Sequence, residues 1–272
     1  MHRTNMFRFL SAIVLCFFLI GLSIDTAYAD DGIDDPNFDY LAPEKEGITS
    51  SLTSFLSSRF RKPKHAANYI AAKRKLYKIV KDPETLYCGC KTNLSERTFN
   101  SSICGYVPKQ DNIRARRLEA EHVLPASLIA KFSSNQCWKK QPGCGSAREC
   151  CLSNDSEFKK AHNDLVNLMP TIGELNADRS NLLYRLIDGE SRAYGRCDFE
   201  VDTSSKSTEP KNEIRGDISR IYFYMRDTYG LTYPSQLEER LEEWANDDPI
   251  SSLEIDRNKK VKRAQGSSNP LF

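Results

Sequence analysis

Residues 116–127 read RRLEAEHVLPAS, and the architecture is decided by how this run is folded. A charged approach gives way to Leu118, Glu119, Ala120 and Glu121 in alternation, as a strand at about 114–124 would show, and Pro125 then breaks the run. At its end stand Glu121 and His122. A carboxylate can hold a hard divalent cation, and a neutral imidazole can take a proton from water near neutral pH. By itself the dipeptide reads more readily as a solvated strand end with a stray histidine, since short motifs of this kind match often by chance. Successive strand residues also point to opposite faces, so for both groups to reach one cation–water pair the strand must bulge or end at this point.

The N-terminus bears on compartment. Arg3 and Arg8 precede an apolar stretch from Phe9 to Ile24, and Ala27-Tyr28-Ala29 offers a small-residue cleavage site. That pattern predicts a secretory signal peptide over 1–29, and no later segment has the length and apolarity of a membrane span. Residues 30–55, rich in Asp with Pro36 and Pro43, read as a flexible acidic leader. The remainder, 56–272, reads as a single domain. Beyond the signal stand eight cysteines, Cys88, Cys90, Cys104, Cys137, Cys144, Cys150, Cys151 and Cys197. In an exported chain an even set argues for disulfides, whose pairing the spacing leaves open. Cys88 and Cys90 are badly placed to bond each other, so each is expected to reach a distant partner. Zinc is the competing use, and neither C-x-x-C nor H-x-x-x-H spacing is present for it.

The formal net charge of +2 discriminates little, but its distribution is uneven. Arg59 to Lys81 carries nine basic residues and no acid. Arg257, Lys259, Lys260, Lys262 and Arg263 form a second cluster, and acidic residues gather at 30–46 and 238–248. Basic runs are commonly solvated faces and also suit a phosphate-bearing partner.

Periodicity predicts a basic helix from Ala66 to Val80. Short disulfide-tied strands and turns follow over 86–114, then a long loop over 131–153. A helix is expected from Asn154 or Asp155 to Met169, with Asn163 and Asn167 on one face, and another from Gly173 to Ile187. A strand is expected over 194–202. Ile218 to Tyr229 repeat apolar residues at three and four and stop at Gly230. Ser235 and Glu238 suggest a capping box, followed by the stripe Leu237, Leu241 and Trp244.

Taken in order, YCGC at 87–90, CGY at 104–106, RRLEAEHVLPA at 116–126, CW at 137–138 and DLVNLMPTIGELNADRSN at 164–181 resemble the bacterial endonuclease I family. The series continues with YGRCDFEVD at 194–202, EIRGDISRIYFYMRDTYGLT at 213–232 and AQGSSNP at 264–270. The resemblance implies an α+β fold: a ββα-metal (His-Me finger) core surrounded by helices and stapled by disulfides. It implies Mg2+ held by Glu121 and Asn167, with His122 as general base. The implied activity is hydrolysis of DNA, with RNA left open, to 5′-phosphate and 3′-hydroxyl ends, without sequence preference. An exported monomer, periplasmic or secreted and free of the membrane, is expected.

Arg179, in the DRSN segment, is read either as a phosphate clamp or as an ion pair with Asp178 or Glu174. His162 is assigned to the surface or to a supporting place behind the site, and His65 to solvent. Three departures stand out: Ala120 where relatives carry tryptophan, Ile255 where many carry cysteine, and a leader without counterpart. Two other classes compete, a catalytically silent secreted binding module and a zinc-dependent hydrolase. The first would have no need of an intact Glu121, His122 and Asn167, and the second lacks a third strong ligand in the sequence.

Overall fold

The computed structural model describes residues 64–79, 83–189 and 192–272. The expected signal peptide, the leader and the basic residues Arg59–Lys62 and Lys81 lie outside the described residues. The predicted strand exists as β3, Leu118–His122, after two short strands β1 (Thr92–Asn93) and β2 (Thr98–Phe99). Arg114–Arg116 is a single 3-10 turn leading into it and not part of the strand.

The partner of β3 is β4, Leu168–Ile172, antiparallel with Leu118 opposite Ile172 and His122 opposite Leu168. This corrects the expected helix through Met169. Helix α5 covers only Ser156–His162. Beyond it Asp164 accepts a bond from the Val166 amide, so the polar side chain takes over a donor the helix would have used. The apolar run LMPTI is thereby released to pair as a strand. Pro170 is tolerated in that ladder for a geometric reason. Val123 N donates to Asn167 O and Gly173 N to Arg117 O, which places the hydrogen-bonded pairs at the odd residues of β3. Pro170 faces Ala120 at a non-hydrogen-bonded pair, so its missing N–H points away from β3.

Helix α6, Gly173–Arg179, follows β4 without a loop and packs on β3 and β4. Gly173 is required there because a Cβ would stand 2.8 Å from Arg114 O and from the Glu119 carboxylate. The predicted continuation to Ile187 does not occur. Ser180 adopts φ 47°, and Leu183–Tyr184 leave as β5 to pair in parallel with β7, Ser207–Pro210. The latter strand forms an antiparallel pair with β6, Phe199–Asp202, the shorter real form of the 194–202 strand.

On the other side of β4 lies α1, Tyr69–Ile79, which also packs on α9, Ser252–Gln265. The four-residue α2 (Ser101–Cys104) and α3 (Ala126–Phe132) complete the first half. The predicted loop over 131–153 is helical in its last part: α4 covers Ala147–Asn154, capped by the Ser146 side chain on the Glu149 amide. Helices α7 (Arg215–Tyr229) and α8 (Ser235–Asp247) pack on each other, α7 ending at left-handed Gly230 and α8 burying Leu237, Leu241 and Trp244. The capping box belongs not to α8, which starts after Pro234, but to α9, where Ser251 and Glu254 cap reciprocally. No helix among the described residues is long and apolar enough to cross a membrane.

The eight cysteines among the described residues are all paired: Cys88–Cys197, Cys90–Cys104, Cys137–Cys151 and Cys144–Cys150. Cys88 and Cys90 do reach different partners. Cross-linking removes more freedom from the unfolded chain when the closed loop is longer. The Cys88–Cys197 bond spans 109 residues and the Cys144–Cys150 bond 6. Replacing Cys88 and Cys197 together by Ser should cost about 4–5 kcal/mol and replacing Cys144 and Cys150 about 2 kcal/mol on the chain-entropy account. Denaturant unfolding of the two variants checks the order, and a larger loss from the short loop would contradict it.

Candidate active site

In β3 the side chains of Glu119 and Glu121 share one face, under α6, and His122 emerges on the other. Glu121 is 1% exposed. Its Oε1 accepts from Tyr87 Oη at 2.7 Å and lies 3.1 Å from Arg179 Nη1. Burial, then the charge of Glu121, pushes the Tyr87 hydroxyl well above its ordinary range, so it remains a donor. Arg179 is also 1% exposed. It donates from Nη1 to His122 O at 2.9 Å and from Nη2 to Val123 O at 2.6 Å, and its guanidinium lies over the Tyr184 ring at 4.6 Å. Neither proposed ion pair forms. Asp178 instead takes Lys109 and Tyr194, and Glu174 takes Tyr106 and the amides of Lys109 and Gln110. Arg179 therefore points inward and fixes the backbone on either side of the His122–Val123 peptide.

His122 is the last ladder residue, 7% exposed. The ladder runs unbroken to this point and then ends, so the strand terminates without a bulge. Its Nε2 lies 2.8 Å from the carbonyl oxygen of His162. A carbonyl can only accept, so Nε2 carries the hydrogen and Nδ1 of the neutral ring is left as the proton acceptor. That carbonyl is available because α5 ends at His162 and the Val166 amide has gone to Asp164. The His122 ring stacks on Tyr69 at 5.2 Å and lies 4.5 Å from the His162 ring. Burial, then His162 and Arg148, holds His122 well below the usual histidine range, against the weaker pull of the carbonyl bond. His162 is buried too, not on the surface, and burial with Arg148 lowers it to about 4. His65 is half-buried against Tyr229, not solvated.

Asn167 is fully buried just before β4. Its Oδ1 accepts from Leu124 N at 2.7 Å and its Nδ2 donates to Leu124 O at 2.9 Å, so the side chain extends the ladder as a peptide group would. The asparagine that stands over the acidic face is another one. Asn176, in α6 one turn before Arg179 and partly exposed, donates from Nδ2 to Glu119 Oε2 at 2.8 Å. Glu119 in turn accepts from Arg114 and Arg117. Asn176 and Arg148 were both passed over in the sequence. Spacing of three between Asn176 and Arg179 on one helix was the available signal for the first. Arg148, beside Trp138 inside the Cys144–Cys150 loop, gave none. Among the described residues no three His, Cys, Asp or Glu side chains converge as a metal cluster.

Comparison with known proteins gives the chain its class, an endonuclease. The chain belongs to the endonuclease I family, whose sequence model matches residues 62–272. It is 35% identical over 226 residues to an extracellular deoxyribonuclease of Aeromonas hydrophila, covering 81% of this chain and 96% of the relative. A periplasmic deoxyribonuclease of the same organism is 35% identical over 229 residues, 83% and 93% of the two chains. Endonuclease-1 of Buchnera aphidicola (subsp. Acyrthosiphon pisum, strain APS) is 35% identical over 221 residues, 79% and 85%.

Replacing Arg179 by Met should leave the Glu121 carboxylate buried without its cation, at a cost of about 3–5 kcal/mol. Arg179→Lys keeps the charge but loses the two-pronged grip on the carbonyls and should fall between Met and the parent. Denaturant midpoints measure both, and a parent-like midpoint for the Met variant would remove Arg179 from this role.

Proposed function

We propose that this chain is an exported, divalent-metal-dependent endonuclease that hydrolyses phosphodiester bonds of DNA without sequence preference, leaving 5′-phosphate and 3′-hydroxyl ends. The observation that carries the reading is the His122 tautomer: the bond from Nε2 to the His162 carbonyl reserves Nδ1 for a proton. The names of the extracellular and periplasmic relatives support both the substrate and the compartment. Recognition led by phosphates is blind to base and largely to sugar, so RNA falls within the same proposal.

In this reading β3, β4 and α6 are the ββα-metal core. The donors there are oxygens, a carboxylate and asparagine amides, which suit a hard cation such as Mg2+ that keeps most of its waters. Glu121, the carboxylate the sequence assigns to the metal, would accept the cation beside the bonds its Oε1 already makes to Tyr87 and Arg179. Of the two asparagines, the sequence pointed to Asn167, whose amide is engaged at both ends by Leu124 and fully buried. Asn176 suits the part better, being partly exposed and on the α6 face that covers Glu119 and Glu121. Bound Mg2+ supplies positive charge to the scissile phosphate and to the departing 3′-oxygen. His122 accepts a proton from the attacking water at Nδ1. The His162 carbonyl and the Tyr69 ring keep its imidazole in one orientation, and Arg148 supplies a guanidinium for a phosphate oxygen.

Mature protein should nick supercoiled plasmid in Mg2+ and stop in chelator. His122→Ala should lose at least ~10²-fold, the low end of general-base effects. Full activity in chelator, or in the His122 variant, would sink the mechanism. Asn176→Ala should lower activity and Mg2+ affinity with its unfolding midpoint kept. Asn167→Ala should lose stability by about 1–3 kcal/mol through the unpaired Leu124 peptide. The reverse pattern would restore Asn167 as the ligand.

A further inference from the structure

Apart from Arg257, which turns inward to the carbonyls of 165–168, the second basic cluster of the sequence has no part in the site, yet the fold places it beside the first. It lies on α9, and α9 packs along α1. Lys64 N donates to Gln265 O at 2.9 Å, and Lys75 Nζ reaches Ala264 O at 3.4 Å, so the C-terminal end of α9 is tied directly to α1. The solvent side of this pair is cationic. Arg74 and Lys78 are exposed on α1, and Lys259, Lys262 and Arg263 on α9, with Lys75 half-buried in the join. Acids do little to offset them. Helix α1 has none, and on α9 Glu254 is buried against Arg220, which leaves Asp256 beside Lys259.

The ridge is continuous with the candidate active site through α1. Tyr69, at its first turn, stacks on His122, and Lys73 lies over the Tyr69 ring at 5.5 Å, its pKa lowered by burial and then by the nearby Arg97, against the pull of Glu119. Exposed cations in a row fit a polyanion whose charges repeat in a row. Lys259 to Arg263 cover about 6 Å of α9, roughly two phosphate steps of one duplex strand, and Arg74 and Lys78 add to the row from α1.

We infer that the α1–α9 ridge is a phosphate-backbone track that binds nucleic acid outside the catalytic site and raises affinity for long substrates. The inference rests on the nuclease reading of the site and adds to it a second place of contact. It assigns Lys259, Lys262 and Arg263 to binding alone. They stand on a different helix from every group given a chemical role, so their removal should move binding and leave turnover alone.

The test is the triple variant Lys259→Gln, Lys262→Gln, Arg263→Gln, made in the active full-length mature chain and again with His122→Ala for binding. A 30-base-pair duplex is the probe. KM for the duplex should rise roughly ten-fold with kcat unchanged, and the slope of log affinity against log salt should shrink by about two to three, near 0.9 per lost phosphate contact. Replacing the two lysines by Arg should restore both. Equal KM and equal salt slope in the triple variant would overturn the track while leaving the nuclease reading standing. Absence of both nicking by the parent and duplex binding by the His122→Ala chain would instead bring down the nuclease reading itself. If the triple variant loses binding only to vesicles containing anionic lipid, the ridge is a membrane contact and the inference is wrong.

Discussion

A buried guanidinium holds the His122 end of β3 in register. Arg179 reaches across from α6 to two consecutive carbonyls, those of His122 and Val123, and to the Glu121 carboxylate between them and the core. Burying a charge is costly unless it is paired and bonded, and here both conditions are met at once. The arrangement is cooperative: Glu121 compensates Arg179, and Arg179 fixes the peptide that carries His122. Tyr87 and Tyr184 close the group through a hydroxyl–hydroxyl contact at 2.8 Å. A strand end would ordinarily fray, but this one cannot without exposing an unpaired charge.

The opposite side of the site depends on a buried carboxylate that never touches it. Asp164 accepts from Val166 N and Gln265 Nε2 on one oxygen and from Tyr224 and Tyr229 on the other. Arg257 donates to the carbonyls of Leu165, Val166 and Leu168 in the same turn. Helices α7 and α9 thus set the path of residues 163–168 from outside. That path determines where α5 stops, which carbonyl is left free for His122, and where β4 begins. The helical last third of the chain is in this sense part of the machinery of a strand pair it does not enter.

This explains which parts were legible in the sequence. Helix α7 and the stripe on α8 followed from local periodicity, because a helix satisfies its own backbone and needs only one apolar face. The sequence from Asn163 to Asn167 keeps a helical apolar pattern through Leu165 and Leu168, yet it folds as a turn. Its donors are taken by Asp164 and its carbonyls by Arg257, partners nearly 100 residues away or hidden in a side-chain cap that periodicity does not weigh. Leu183 and Tyr184 escaped notice for the same reason, since their pairing with β7 is a long-range contact. Asn176 was overlooked beside the more visible N-L-x-P block, although its place one turn before Arg179 put it on the α6 face that meets β3. Glu121 and His122 stand out only within the ordered set of motifs from 87 to 270, because a carboxylate beside an imidazole at a strand end is by itself an ordinary solvated pair.

The disulfides belong to this account as well, because the segment that delivers Tyr87 has almost no secondary structure of its own. Residues 83–91 run as turns and isolated bridges, and such backbone is not held by a ladder. Cys88 ties it to Cys197 and Cys90 to Cys104, two anchors directly after Tyr87. The Tyr87 ring then packs on Phe199 at 4.2 Å, two residues beyond Cys197, and Leu86 N bonds Pro170 O on the open edge of β4. Three unlike restraints, covalent, aromatic and hydrogen-bonded, converge on one hydroxyl that donates to Glu121. A chain with a larger core could have placed that hydroxyl from a strand. Here the oxidised cross-links take that role, so the geometry around Glu121 is tied to an oxidising compartment by construction and not only by where the protein is sent.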